Sequence, residues 1–214
     1  DNIVHKSSRM PWYSGESLLD YLEHVEIHES ESANWRFPVQ WVVRPQTDDL
    51  HDYRGYAGRV LGEGLTVGDP VIVYPAETFS TVKAIELNGQ QLQRAESGQS
   101  VIIHLSDDVD ISRGDTIASV ENPPKFERNI QANLCWFDNK PLDTDQIYLV
   151  QSHSKLTKVK IVDVLYKFDI NTQEKVYNEE IKLNDIGRIA IKSAENLVFD
   201  LQNENAENSQ AIVI

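Results

Sequence analysis

Apolar residues recur at two different periods along this chain, and the change of period divides it. Near the start, Leu18, Leu19, Leu22 and Val25 stand at helical spacing behind Ser14, a residue suited to an N-cap. Glu16 and Asp20 lie early, where acids favour the helix dipole. The spacing predicts one amphipathic helix, Gly15 to Val25. Its apolar stripe needs a surface, either the β structure that follows or, preferably, a domain upstream. Glu29 to Asn34 is polar and reads as a linker. From Trp35 onward β-branched and aromatic residues dominate. Candidate strands are Phe37 to Val43, Tyr56 to Leu61, Pro70 to Tyr74, Thr78 to Leu87, Val101 to Leu105 and Thr116 to Val120. Turn signals separate them, among them Gly62-Glu63-Gly64, Val67-Gly68-Asp69, Asn88-Gly89 and Arg113-Gly114-Asp115. Short strands at this spacing suggest a small closed barrel, which also removes free sheet edges.

Glu121-Asn122-Pro123-Pro124 marks a second boundary, because prolines cannot join a ladder and favour extended linkers. A second β set follows: Glu127 to Phe137, Gln146 to Ser152, Thr157 to Phe168, Glu179 to Leu183, Arg188 to Ser193 and Val198 to Leu201. The stretch through Asp163 has apolar residues on both faces. It is either buried on both sides or carries a bulge near Asp163 that switches the buried face. Gln202 to Gln210 is polar and reads as a loop, and Ala211 to Ile214 as a short final strand. The organisation expected is therefore 1–30 (loop and helix), 31–121 (first barrel) and 122–214 (second barrel). The fold class is mainly β, with two consecutive β-barrels preceded by one α-helix.

Composition narrows the partners. The net charge is −14, from 34 acids against 20 bases, and the sequence pI is near 4.8. Such a chain repels phosphate backbones at long range and suits docking on a basic partner. The single cysteine, Cys135, excludes an intrachain disulfide framework and fits a cytoplasmic, reducing setting. No apolar run is long enough to span a bilayer. The opening Asp1-Asn2-Ile3-Val4 has no initiator methionine, and the chain reads as a processed product or excised fragment.

Candidate chemistry is sparse. There is no Gly-Lys dipeptide and hence no P-loop. Asp52-Tyr53-Arg54-Gly55 has the short Asp-x-x-Gly pattern of GTPases, but no buried strand leads into it. Asn139-Lys140-Pro141-Leu142-Asp143 has its acid one residue too late to read guanine and is better taken as a turn. His24 and His28 share a helical spacing that could hold a metal, yet a solvated face is the simpler account. Asp107, Asp108 and Asp110 could hold a hard cation, or form a solvated loop. Ser152-His153-Ser154 lacks a nucleophile elbow. Lys155, Lys158, Lys160 and Lys167, near Trp136, Phe137 and Tyr148, form the one basic stretch that could meet nucleic acid. It could equally solvate a strand.

The segment from Asp52 to Asp69 holds five glycines and two arginines around short apolar runs. Its Arg54-Gly55-Tyr56-Ala57-Gly58 core resembles the opening of the second domain of translation-type GTPases, in the variant found in the large (GTPase) subunit of bacterial sulfate adenylyltransferase. Met10-Pro11-Trp12-Tyr13-Ser14-Gly15 with Leu18-Leu19 resembles the end of that subunit's GTPase domain. Arg36-Phe37-Pro38-Val39-Gln40 and Arg44-Pro45 resemble its second domain. Gln151 to Leu165, Asp169-Ile170-Asn171 and Leu183-Asn184-Asp185-Ile186-Gly187 resemble its third.

The resemblance implies elongation-factor-type barrels in a parent enzyme that forms adenylyl sulfate from ATP and sulfate, coupled to GTP hydrolysis. It implies a small catalytic subunit and the chain's own GTPase domain as partners, with no nucleic acid and no membrane. GTP and magnesium would belong to the GTPase domain. No catalytic, cofactor-binding or metal residue is expected here, and this part alone would be inactive. Arg54, Tyr56 and Arg59 are the candidate interdomain or partner contacts. The rival expectations are a tRNA-binding barrel pair of an elongation factor and a stand-alone protein-interaction module.

Overall fold

The structure is a computed structural model that describes residues 2–25, 34–44 and 53–214. The predicted linker from Glu29 up to residue 33, the second histidine of the His24/His28 pair and the residue Asp52 lie outside the described residues. The chain divides into two units, Asp1–Glu31 and Ser32–Ile214.

In the first unit the helix α1 spans Leu18–His24, shorter than the predicted Gly15 to Val25. Ser17, not Ser14, is the N-cap. Its Oγ accepts from the Asp20 amide at 3.2 Å and donates to the Asp20 carboxylate at 2.7 Å. The next two amides are met by the preceding loop, Leu18 on the Asn2 carbonyl at 2.9 Å and Leu19 on that of Ile3 at 2.8 Å. These bonds set the helix start where periodicity alone could not. Leu18, Leu19 and Leu22 are exposed.

Among the described residues the second unit opens with nine strands: β1 (Arg36–Val43), β2 (Gly55–Arg59), β3 (Leu65–Thr66), β4 (Pro70–Tyr74), β5 (Thr78–Leu87), β6 (Gln90–Leu92), β7 (Arg94–Ala95), β8 (Ser100–Leu105) and β9 (Thr116–Ser119). The main sheet has the order β4-β9-β1-β2-β8-β5-β6, and β4 also pairs with β5. That last pairing closes a ring, the barrel that the turn spacing predicts. Inside it Phe37, Val39, Tyr56, Ile85, Ile103 and Ile117 form one apolar core. Gly58 is where β2 crosses tightly over β1: a Cβ there would stand 2.5 Å from the Pro38 carbonyl and 2.9 Å from the Phe37 ring. Gly62 and Gly68 turn the chain at φ +76° and +98°. Gly64 is not a turn glycine; it lets the backbone approach the Ala95 carbonyl.

Six further strands follow: β10 (Lys125–Cys135), β11 (Ile147–Ser152), β12 (Lys155–Phe168), β13 (Lys175–Val176), β14 (Ile186–Phe199) and β15 (Ile212–Val213). They form a second sheet, β10-β14-β12-β11-β15, with β13 on β12. The register of β12 on β14 shifts between Ile161 and Asp163. Val159 and Ile161 are buried before the shift; after it Asp163 is exposed and Val164 packs on the same core, so a bulge switches the face as the sequence pattern allowed.

The two strands expected at Arg188 to Ser193 and Val198 to Leu201 are one strand, β14. A register shift opposite it, between Glu127 and Asn129, absorbs the break in alternation. Glu179 to Leu183 is not a strand. Ile181 is nevertheless buried, and its carbonyl takes the Leu142 amide at 2.9 Å. The strands β3, β6, β7 and β13 go beyond the sequence expectation, being too short to show a two-residue period.

Candidate functional site

Where the two sheets meet, Phe126 and Val198 pack on Ile72, Tyr74 and Ala118. The Tyr74 and Phe126 rings stand 5.0 Å apart. Beside this apolar contact lies a polar one. Arg36, at the start of β1, donates from Nε and Nη2 to the two oxygens of Asp200 at 2.8 Å each. Its Nη1 donates to the Trp35 carbonyl at 2.9 Å. The side chains are 0% and 2% exposed. Each guanidinium nitrogen and each carboxylate oxygen therefore has a partner, the condition under which a buried pair is tolerated.

The network continues through the turn Glu207–Ser209. Asn208 Nδ2 donates to Asp200 at 2.7 Å, which leaves Asn208 Oδ1 as an acceptor, 3.1 Å from His153 Nε2. His153 Nε2 must then carry a proton. Burial holds the His153 pKa below its ordinary value, against the opposing effects of the Asn208 bond and Glu207. Asn205 Nδ2 donates to the Asn34 carbonyl at 3.1 Å, a second tie between the segment after β14 and the start of β1.

The three candidate contacts from the sequence take different places. Arg59, at the end of β2, is half exposed, and its Nη2 lies 3.4 Å from Glu207 in the segment after β14. Arg54 turns to its own barrel. It pairs with Asp108, lies 3.6 Å from Asp110 and stacks 5.6 Å from the Tyr56 ring centre. Tyr56 is a core residue, 1% exposed, with its hydroxyl donating to the Val109 carbonyl at 2.9 Å. It offers no surface to a partner, because alternation on β2 turns it inward. Its pKa is raised, chiefly by burial.

The other motifs resolve into structure. Asp108 and Asp110 face Arg54, and Asp107 accepts from Ser80 Oγ at 2.8 Å. Among the described residues no cluster could hold a metal ion. Asn139 to Asp143 is a bend followed by irregular chain: Asp138 accepts the Lys140 amide at 3.1 Å, and Asp143 accepts that of Asp145 at 2.8 Å where the chain turns next. His104, isolated in sequence, sits in a small cluster with Tyr53 and Glu86. Its Nδ1 donates to the Arg54 carbonyl at 2.8 Å and its Nε2 lies 2.9 Å from Glu86. The Tyr53 hydroxyl donates to Glu86 at 3.0 Å, and its pKa is pushed up to about 12, by burial first and then by Glu86. No helix among the described residues is long and apolar enough to cross a membrane.

Comparison with known proteins agrees with this architecture. The family described as GTP-eEF1A C-terminal domain-like matches residues 129–214. Sulfate adenylyltransferase subunit 1 of Bacteroides fragilis is 36% identical over 215 residues, covering 100% of this chain and 44% of that protein. This chain is a homologue of sulfate adenylyltransferase subunit 1. The relative from Teredinibacter turnerae is 37% identical, again along 100% of the chain and 45% of its own length. The bifunctional enzyme CysN/CysC of Mycobacterium tuberculosis is 36% identical over 100% of the chain and 35% of its own length. The chain thus spans less than half the length of these curated relatives. Among solved structures, Sup35 complexed with GDP superposes with a TM-score of 0.74 at 17% identity, over 100% of this chain and 52% of that one. At that identity the likeness speaks for the elongation-factor-type fold alone.

The Arg36–Asp200 pair was missed by sequence reasoning. An arginine inside the apolar run Trp35 to Val39 was its only signal, and no local pattern points to a partner 164 residues away.

Proposed function

We propose that this chain is the barrel portion of a sulfate adenylyltransferase large subunit and does no chemistry of its own. In this reading the two β modules couple GTP hydrolysis in a GTPase domain to adenylyl sulfate formation in a small catalytic subunit. The observation that carries it is identity of 36% along the whole chain to a protein of that name. The buried Arg36–Asp200 pair supports the mechanical part. It gives the two modules a shared, solvent-excluded contact, so that a displacement imposed on one is passed to the other. Coupling also requires different contacts in two nucleotide states, and those contacts belong to surfaces outside the seam.

The test is co-expression of the natural full-length protein with the sulfate adenylyltransferase small subunit of the same organism. A stable complex whose adenylyl sulfate formation depends on GTP is expected. Absence of any complex would overturn the assignment. Magnesium-dependent GTP hydrolysis by the isolated barrels would overturn the non-catalytic role. Tight tRNA binding with a steep salt dependence would favour an elongation-factor role instead.

A further inference from the structure

The basic stretch of β12 does not survive as one feature. Lys155 pairs with Glu195 at 2.9 Å, and Lys167 with Glu179 at 2.9 Å and Asp185 at 3.5 Å. Lys158 and Lys160 are left exposed on the outer face, and sheet pairing sets Lys192 of β14 directly opposite Lys160. None of the three has an ion-pair partner among the described residues. Like charges at facing positions destabilise a sheet. Here they do so in a chain that carries 34 acids against 20 bases, where an acidic neighbour would be the easier outcome. Folding alone gives no reason for the arrangement.

The surroundings say what kind of ligand fits. Ile147 faces Lys160, and Leu149 faces Lys158, across the β11–β12 pairing. Ile147 is 64% exposed, and Leu156, one step along the same face of β12, is 52% exposed. The lysines are thus rimmed by aliphatic side chains, not by aromatic ones. A single-stranded nucleic acid is held by base stacking on aromatic rings and by a basic field along its backbone. The facing and neighbouring positions on β11 and β12 named here hold no aromatic ring on which a base could stack. Carboxylates set beside aliphatic side chains, on a folded protein surface, match both the charge and the apolar rim.

We propose that the outer face around Lys158, Lys160 and Lys192 is the docking surface for the small catalytic subunit, through an acidic and aliphatic patch on that subunit. This rests on the functional reading above. The natural full-length protein and the small subunit are mixed and their affinity is measured at low and high salt, for wild type, for Lys158→Glu/Lys160→Glu/Lys192→Glu, and for the same triple change to glutamine. Wild type should bind with an affinity that falls as salt rises. The glutamate variant should bind about tenfold or more weakly, and the glutamine variant in between. The glutamine variant also removes the facing charges, so it should melt no lower than wild type, which keeps the test open if the glutamate variant fails to fold. Equal binding by wild type and the glutamine variant would overturn the surface while leaving the functional reading intact. No binding by wild type would overturn both. Preferential binding of a tRNA probe, lost in the glutamine variant, would reassign the face to nucleic acid.

Discussion

The Arg36 guanidinium and the Asp200 carboxylate meet through two 2.8 Å hydrogen bonds in a space closed to solvent, although 164 residues separate them in the chain. One belongs to the first strand of the first barrel, the other to the residue just past the last long strand of the second sheet.

Removing one partner of that pair leaves an uncompensated buried charge. Asp200→Asn or Arg36→Met should each destabilise the unit by about 3–5 kcal/mol in urea denaturation. The double variant Arg36→Met/Asp200→Leu should recover part of that loss, because neither charge then stays buried. A single variant as stable as wild type would show the pair to be dispensable.

Gly58 sets the closest approach in the first barrel. Gly58→Ala would press a methyl group on the Pro38 carbonyl and the Phe37 ring. The expected loss is about 1–3 kcal/mol, read as a lower denaturation midpoint with an unchanged slope.

The Arg54 and Arg59 ion pairs reach acids that are themselves well exposed. Such pairs contribute less than about 1 kcal/mol each. Arg59→Ala should therefore leave thermal stability nearly unchanged, whereas Arg54, 19% exposed and stacked over Tyr56, should also lose packing in Arg54→Ala. If either arginine serves coupling, its loss should appear as weaker complex formation or a weaker response to GTP. Equal loss of stability and coupling would remove that role.

His153 gives the seam a pH dependence. Its folded pKa lies below the unfolded value because burial disfavours the charged ring. Above about pH 6.5 the ring is neutral in both states and contributes nothing. As pH falls below that value the unfolded chain takes up the proton more readily, and stability is lost. Melting temperatures measured across this range should fall more steeply for wild type than for His153→Gln, which can keep a donor toward Asn208. Identical profiles would count against His153 as the titrating group.

Much of this was legible from residue order. Alternation located most of the long strands, and the turn glycines Gly62 and Gly68 marked where the first barrel reverses. Mixed apolar faces around Asp163 allowed burial on both sides or a bulge, and the register of β12 on β14 decides for the bulge. These are local properties: side-chain period, φ preference and branching at Cβ act over a few residues. The strings from Arg36 to Gly58 carried the family resemblance in the same local way.

What tertiary structure alone decided are the pairings between distant segments. Ser17 became the helix cap because the amides after it found the Asn2 and Ile3 carbonyls. Tyr56 went inward with its strand, while Arg59 reached Glu207. Of four lysines with the same sequence signal, two met acids and two were left on the face they share with Lys192. Each outcome depends on which groups the sheet register brings within a few ångströms and which of them water no longer reaches. Neither quantity is written in the neighbourhood of any one residue, and both set the energy of a charge.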